Sequence, residues 1–422
     1  MNSRATDWPL TPMKTVCETI VDCVNKTAPL SDQPTPYRML RTTNVRDGFV
    51  DTRNCRFVNE DTFRKWTRRQ LPRRGDVILT REAPLGEVGM LRDDETVFLG
   101  QRLMSYRAAP EKLDSNFLLY SLMGPHLQAQ IRAAGSGATV EHMRVPDAEN
   151  LLIRMPSLAV QIRIGGILSA YDELIEANRR RITIQEEMAR RIFDEWFVRF
   201  RYPGRGAISL VETEIGSIPP GWTRLRADAI IEFDPRTKVL KDGLKVFVPM
   251  SALDTATSVI AGWETREGNS GAKFTNGDTL MARITPCLEN GKTGLVNFLP
   301  EGAAAFGSTE FTVMRGVRAP PSFVYLLARS ETFRANAIKS MGGADGRQRV
   351  RCEALEGFEL AFPPNDLIEK FAQIAEPLFK EVRVLAEQVT RLRAARDLLL
   401  PKLISGEVNL DRSEEVLPEA AE

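Results

Sequence analysis

The chain has 422 residues, 43% of them hydrophobic, and 57 basic against 56 acidic side chains leave a formal charge of +1. Such a balance describes roughly two to three folded domains and argues against a uniformly basic nucleic-acid coat, which needs excess positive surface. Two histidines and five cysteines without CxxC spacing exclude a Cys/His zinc cluster, and no apolar run approaches the ~20 residues a bilayer demands, so a cytoplasmic, metal-free chain is expected.

Taken from the N-terminus, short alternating runs broken by Gly and Pro read as strands: DVILT, EVGML and TVFLG. The stretch FLLYSLMGPHLQAQIRAA then reads as one amphipathic helix. The same text returns later. Gly75-Asp76 aligns with Gly277-Asp278, Arg81 with Arg283 and Pro84 with Pro286, all at an offset of 202 residues. MLRTTNV (39–45) parallels FVPMSAL (247–253), FLGQRLMSYR (98–107) parallels FGSTEFTVMR (306–315), and the helical stretch answers FVYLLARSETFRANAI (323–338). Each copy reaches a proline, Pro156 or Pro363, just before a long helical pattern. An internal repeat of this length means two similar mixed domains, each followed by a helix.

The helical patterns carry a heptad seam, spaced alternately by three and four. The first is Leu168, Tyr171, Ile175, Asn178, Ile182, Gln185, Ala189, Ile192 and Trp196. The second is Ala375, Leu378, Val382, Leu385, Val389, Leu392, Arg396, Leu399 and Leu403. Two such helices are expected to pair antiparallel as a coiled coil, with Asn178 and Gln185 facing Leu385 and Arg396 or their neighbours and fixing the register. Pro377 predicts a kink or a late helix start, and Pro401 the end of the regular part. At 1.5 Å per residue the seam spans roughly 40 Å, close to the ~34 Å turn of B-DNA, which would suit half-sites one turn apart. The last segment, SGEVNLDRSEEVLPEAAE, is acidic and reads as a solvated tail. The arginines of NRRRITIQEEMARR (178–191) flank the seam beside Glu186 and Glu187, as on a solvated helix face.

Two junctions are more specific. RRIFDEWFVRFRYPG (190–204) is followed by EIGSIPPGW (214–222), and LLLPKLISGEVNL (398–410) closes the second helix. With the repeat and both helices, these resemble the specificity subunit of type I restriction-modification systems over nearly the whole chain. The resemblance implies an α+β fold: target-recognition domain 1 at 1–156, a central helix at 157–204, target-recognition domain 2 at 205–363, a distal helix at 364–410 and the tail at 411–422. It implies a subunit that reads double-stranded DNA, binds two modification subunits to form an adenine-N6 methyltransferase, and recruits restriction subunits. S-adenosylmethionine, and ATP with magnesium, would be used by those partners. The residues agree that this chain does no chemistry itself. Its diproline sites read IPPGW, APPSF and FPPND rather than NPPY or DPPY, no phosphate loop ends in Gly-Lys-Ser/Thr, and two histidines make a Ser-His-Asp triad improbable.

Base reading favours Arg on guanine and Asn or Gln on adenine, with hydroxyls and amides on phosphate. The first domain offers Arg81, Gln101, Arg102 and the Gly-rich loop with Ser136, Thr139, Glu141, His142 and Arg144. The second offers Arg283, Lys292, Ser308, Thr309 and a more basic loop with Arg347, Gln348, Arg349 and Arg351. Arg81 and Arg283 recur in both copies and so suit scaffold or phosphate contacts. Specificity is expected where the copies differ, at Gln101-Arg102 against Ser308-Thr309 and at Glu141-His142 against Arg347-Gln348. Trp196, Phe197 and Phe200 are candidates for anchoring a partner subunit or for packing the junction. The alternative to DNA reading is a coiled-coil scaffold that only organises proteins.

Overall fold

The computed structural model describes residues 8–135, 141–204, 210–213, 216–343, 348–408 and 410. The fold is α+β with long helices, and it divides into two compact units, Met1–Leu174 with Arg391–Glu422, and Ile175–Thr390. The division cuts both long helices in mid-length, so each unit takes a share of each helix.

In the first unit a six-stranded sheet has at its centre the strand Val77–Arg81, flanked antiparallel by Leu103–Ala108 and Leu85–Met90. All five residues of Val77–Arg81 are buried, which is why the run is apolar rather than alternating. The preceding turn depends on Gly75, at φ +89°, a conformation glycine adopts without a Cβ penalty. Next to it the Asp76 carboxylate, 1% exposed, accepts two bonds from Arg107, Nε at 2.8 Å and Nη2 at 2.7 Å, and a third from the Arg73 amide. The second unit builds the same corner. Gly277 stands at φ +91°, and Asp278, also 1% exposed, accepts from Arg315 Nε at 2.7 Å and Nη2 at 2.6 Å. Here the central strand is Thr279–Ala282 in a four-stranded sheet, and the Ala83-Pro84 and Thr285-Pro286 peptides are both cis. The Gly-Asp of the repeated text is therefore a turn glycine followed by a buried carboxylate gripped from the neighbouring strand.

Neither expected single helix is continuous. The first splits into Ser115–Met123 and Pro125–Ala134 at Gly124, whose backbone is extended. Pro125 cannot donate into a preceding turn, and a Cβ on Gly124 would come within 1.8 Å of Ile404 Cδ1. The second splits into Pro321–Arg329 and Glu331–Lys339 at Ser330, whose hydroxyl caps the new helix.

The long helices run Leu158–Phe193, closed by a wider turn at Asp194–Val198, and Asn365–Ile404. The second passes without interruption through Pro377, which lies on the exposed face, and through Pro401, so neither the expected late start nor the early end occurs. Within the second unit Asn178 Nδ2 donates to Gln388 at 3.1 Å, while Gln185 and Arg181 donate to Glu381 at 2.6 Å each. Rising numbers on one segment meet falling numbers on the other, so these segments run in opposite directions around Ile182, Val382 and Leu385. Gln185 thus faces Glu381, and Arg396 belongs elsewhere.

That residue lies in the first unit, 5% exposed, with its Nη1 bonded at 2.5 Å to the fully buried carboxylate of Asp172. Tyr120 Oη donates to the same carboxylate at 2.7 Å, and Arg92 stands 3.7 Å away. The seam register departs from expectation here. Leu168, Ile175, Asn178, Ile182, Ala189, Val382, Leu385, Val389 and Leu403 are buried, but Tyr171, Gln185, Ile192, Leu378, Leu392 and Leu399 are only half-buried. Asp172, Phe193 and Phe379 take the inner positions instead.

Removing one partner of a buried ion pair strands the other. Arg396→Leu is expected to cost about 3–5 kcal/mol in chemical denaturation, and adding Asp172→Asn, which still accepts from Tyr120, should restore most of that loss.

Candidate nucleic-acid interface

The central strand of the first unit ends in Arg81, that of the second is followed directly by Arg283, and each chain segment then turns through a cis-proline loop. Backbone bonds fix this edge identically in the two units. Arg81 N donates to the Arg102 carbonyl and Met143 N to the Arg81 carbonyl; in the second unit Arg283 N donates to Glu310 and Val350 N to Arg283. A bridge joins Glu82 with His142 in one and Ile284 with Arg349 in the other. These contacts correct the sequence pairing. Arg102 corresponds to Glu310, His142 to Arg349 and Glu141 to Gln348, one residue away from the alignment of Gln101-Arg102 with Ser308-Thr309 and of Glu141-His142 with Arg347-Gln348.

With the positions matched, the edge charges differ in kind. In the first unit the Glu82 carboxylate sits between Arg102 Nε at 3.3 Å and His142 Nδ1 at 3.4 Å. Arg102 is held at φ +71° with its side chain half exposed. In the second unit Ile284 replaces Glu82, and the carboxylate comes instead from Glu310, which accepts Arg349 Nε at 2.8 Å and Nη2 at 2.6 Å. That two-pronged bond with Arg349 holds the Glu310 carboxyl below the usual glutamate range. Glu82 and Glu310 were not foreseen as site residues. Their signal in the sequence is only a carboxylate next to a repeated arginine, which becomes informative once the bridges are known.

The other candidates divide by accessibility. Gln101, Glu141 and Arg144 are exposed, and Arg144 pairs with Asp147 as it opens the helix Val145–Glu149. Arg351 takes the same place before Cys352–Glu356 and is exposed. Gln348 is half-buried, its amide on the Thr285 hydroxyl; Ser308 accepts the Glu310 amide, and Lys292 donates to the Met250 carbonyl at 3.1 Å. Ser136, Thr139 and Arg347 lie outside the described residues.

The recurring arginines have unlike surroundings. Arg81 is 9% exposed and lies 3.7 Å from Asp22, which also binds Arg69. Arg283 lines an open groove and has no carboxylate within ion-pair distance among the described residues. Arg81 therefore has the surroundings of a scaffold residue, one of the two roles expected of it, whereas Arg283 faces an open groove.

Trp196, Phe197 and Phe200 do not present an anchoring surface. Trp196 and Phe197 are 7% and 8% exposed, packed edge-on against Phe371, with Phe197 also against Phe323 and Phe200 against Trp222, inside the core of the second unit. Outward-facing apolar side chains on the long helices are others: Ile167 and Leu174 in the first unit, Ile184 and Met188 in the second. The arginines of 178–191 lie along the helix surface in ion pairs such as Arg180 with Glu176 and Arg191 with Glu187. Among the described residues no helix is long and apolar enough to cross a membrane, and no cluster of three or more His, Cys, Asp or Glu could hold a metal ion.

The unlike arginines give a stability contrast. Arg81→Gln removes a buried guanidinium from beside Asp22, which keeps Arg69, and should cost roughly 1–3 kcal/mol, whereas Arg283→Gln should stay within about 0.5 kcal/mol of the parent, as read from urea denaturation midpoints.

Residues 24–186 match the family model described as the type I restriction modification DNA specificity domain. Over 370 residues the chain is 23% identical to the type I restriction enzyme MjaIX specificity subunit of Methanocaldococcus jannaschii, with 85% of this chain and 83% of that protein covered. It is 30% identical over 157 residues to the EcoEI specificity subunit of Escherichia coli, a match that spans 35% of this chain and 26% of the relative. Among solved structures, the S subunit of a type I restriction-modification system from M. genitalium aligns with a TM-score of 0.56 over 94% of this chain and 96% of that one, at 15% identity, a likeness of fold. The junction motifs, the family match over residues 24–186 and the near full-length relative point the same way: this chain is similar to the specificity subunits of type I restriction-modification systems.

Proposed function

We propose that this chain is the non-catalytic DNA-reading subunit of a type I restriction-modification complex, in which two repeated target-recognition domains, 1–156 and 205–363, each read one half of a split, asymmetric site. The observation that carries this reading is a common frame with unlike edges. The same Gly-Asp corner and strand-end arginine recur in both units, yet the next layer is Arg102, Glu82 and His142 in one and Glu310 and Arg349 in the other. A repeated scaffold with different polar groups at matching positions is what two half-sites of different sequence require, because positioning contacts can be shared while base contacts cannot.

The long helices, 157–204 and 364–410, form an antiparallel coiled coil in this reading, set the distance between the half-sites and carry the docking surfaces. Polar rungs such as Asn178–Gln388 suit a pairing in which register matters more than maximal stability. Two modification subunits, and restriction subunits beyond them, would dock against outward apolar side chains such as Ile184 and Met188 rather than against the buried Trp196 and Phe197. Methyl transfer from S-adenosylmethionine, and translocation driven by ATP with magnesium, would belong to those partners.

Co-expression with the cognate modification subunit in a methyl-free host, followed by single-molecule methylome sequencing, tests the reading. A split motif with N6-methyladenine on both strands is expected, and replacing residues 1–156 by the corresponding domain of another such subunit should change one half only. A stable complex without methylation would leave the protein as a scaffold.

A further inference from the structure

The second unit contains a groove of about 690 Å³ beside the end of its central strand. Four cations line it, Arg236, Lys238, Lys273 and Arg283, against a single carboxylate, Asp234. Asp234 is already engaged, accepting the Val313 amide at 2.8 Å. No ion pair or hydrogen bond of the side chains of Arg236, Lys238 or Lys273 occurs among the described residues, and Arg283 Nε is buried without a partner. Glu310, whose field reaches Arg283, is taken by the two-pronged bond with Arg349.

The first unit shows what neutralises this position when the protein supplies its own anion. In its sheet Asp22 stands opposite Met104 and faces Arg81. Continuing the strand pairing of the second unit, where Phe233 stands opposite Met314 and Asp234 meets Val313, puts Pro235 in the place of Asp22. The internal carboxylate has been replaced by proline, and the next residues are Arg236 and Lys238. Four like charges lining one groove repel one another unless an anion joins them. They come from three separate chain segments and border a space larger than one inorganic phosphate fills, which suits successive phosphates of a polymer better than one small anion.

We propose that this groove clamps the phosphate backbone of duplex DNA at the second half-site, with Arg236, Lys238 and Lys273 as phosphate contacts and Arg283 beside them, whereas in the first unit the matching Arg81 lies 3.7 Å from the protein's own Asp22. The proposal rests on the reading of the chain as a DNA-specificity subunit and adds an asymmetry to it: the second domain contributes more of the salt-sensitive affinity.

The test uses the full chain in complex with its modification subunit and measures affinity for the target duplex and for a scrambled duplex across a salt series. Lys238→Gln and Lys273→Gln should each lower the slope of log affinity against log salt by about one, weaken both duplexes alike and leave the methylated motif unchanged. Lys238→Arg and Lys273→Arg should restore the slope, which separates loss of charge from misfolding. Unchanged affinity and slope in the Gln variants, with the parent complex binding its target, would overturn the clamp and leave DNA reading intact. Weakening confined to the target duplex would overturn the phosphate assignment in favour of base contacts. A parent complex that binds no duplex would overturn the functional reading and the clamp together.

Discussion

A carboxylate buried at the head of a central strand, gripped by an arginine on the adjacent strand, is the constraint on which each unit is built. Asp76 with Arg107 and Asp278 with Arg315 are both about 1% exposed on the acid side, and each aspartate also accepts a backbone amide that closes the turn. A buried carboxylate left unpaired is too costly to tolerate, so turn, strand and neighbouring strand are obliged to meet in one register. Once that corner is fixed, the end of the central strand is fixed, and with it the arginine, the cis-proline loop and the edge where the two units differ. The invariance of the frame is what makes the difference at its edge interpretable.

That difference is electrostatic. One unit spends a carboxylate on Arg81 and keeps a small cluster of Arg102, Glu82 and His142 at the edge; the other ties Glu310 to Arg349 and leaves Arg283 among uncompensated cations. In a DNA-reading protein such a division separates the affinity supplied by phosphates from the discrimination supplied by base edges. The long helices show a related division, with a buried Asp172–Arg396 pair in the first unit and polar side-chain rungs around Ile182, Val382 and Leu385 in the second. Ion pairs and polar rungs in a helix seam define pairing more than they add stability.

Much of this was legible in the sequence because the repeat is long and its marks have physical causes. Gly75, Asp76, Arg81 and Pro84 return together since turn, buried acid, strand end and loop form one unit of structure. The strands around Val77–Arg81 were visible for the same reason. The inner residues of the helices were only partly visible. An apolar heptad count passes over Asp172, whose burial depends on Arg396 more than two hundred residues away, and places Tyr171 and Leu378 where Asp172 and Phe379 lie. Trp196 and Phe197 looked available to a partner because nothing local reveals that Phe323 and Phe371 cover them. Arg236, Lys238 and Lys273 fall outside the stretches where the two copies align, so the repeat gives no signal for the groove, and an insertion between the copies shifts the edge pairing by one residue.

The central claim is that this chain, in complex with its modification subunit, distinguishes DNA sequences. The most direct measurement is the ratio of dissociation constants of that complex for its methylated motif and for a scrambled duplex of equal length at physiological salt. A ratio on the order of 10³ or more is predicted, as for specific readers of DNA. Equal affinity for both duplexes would contradict the account.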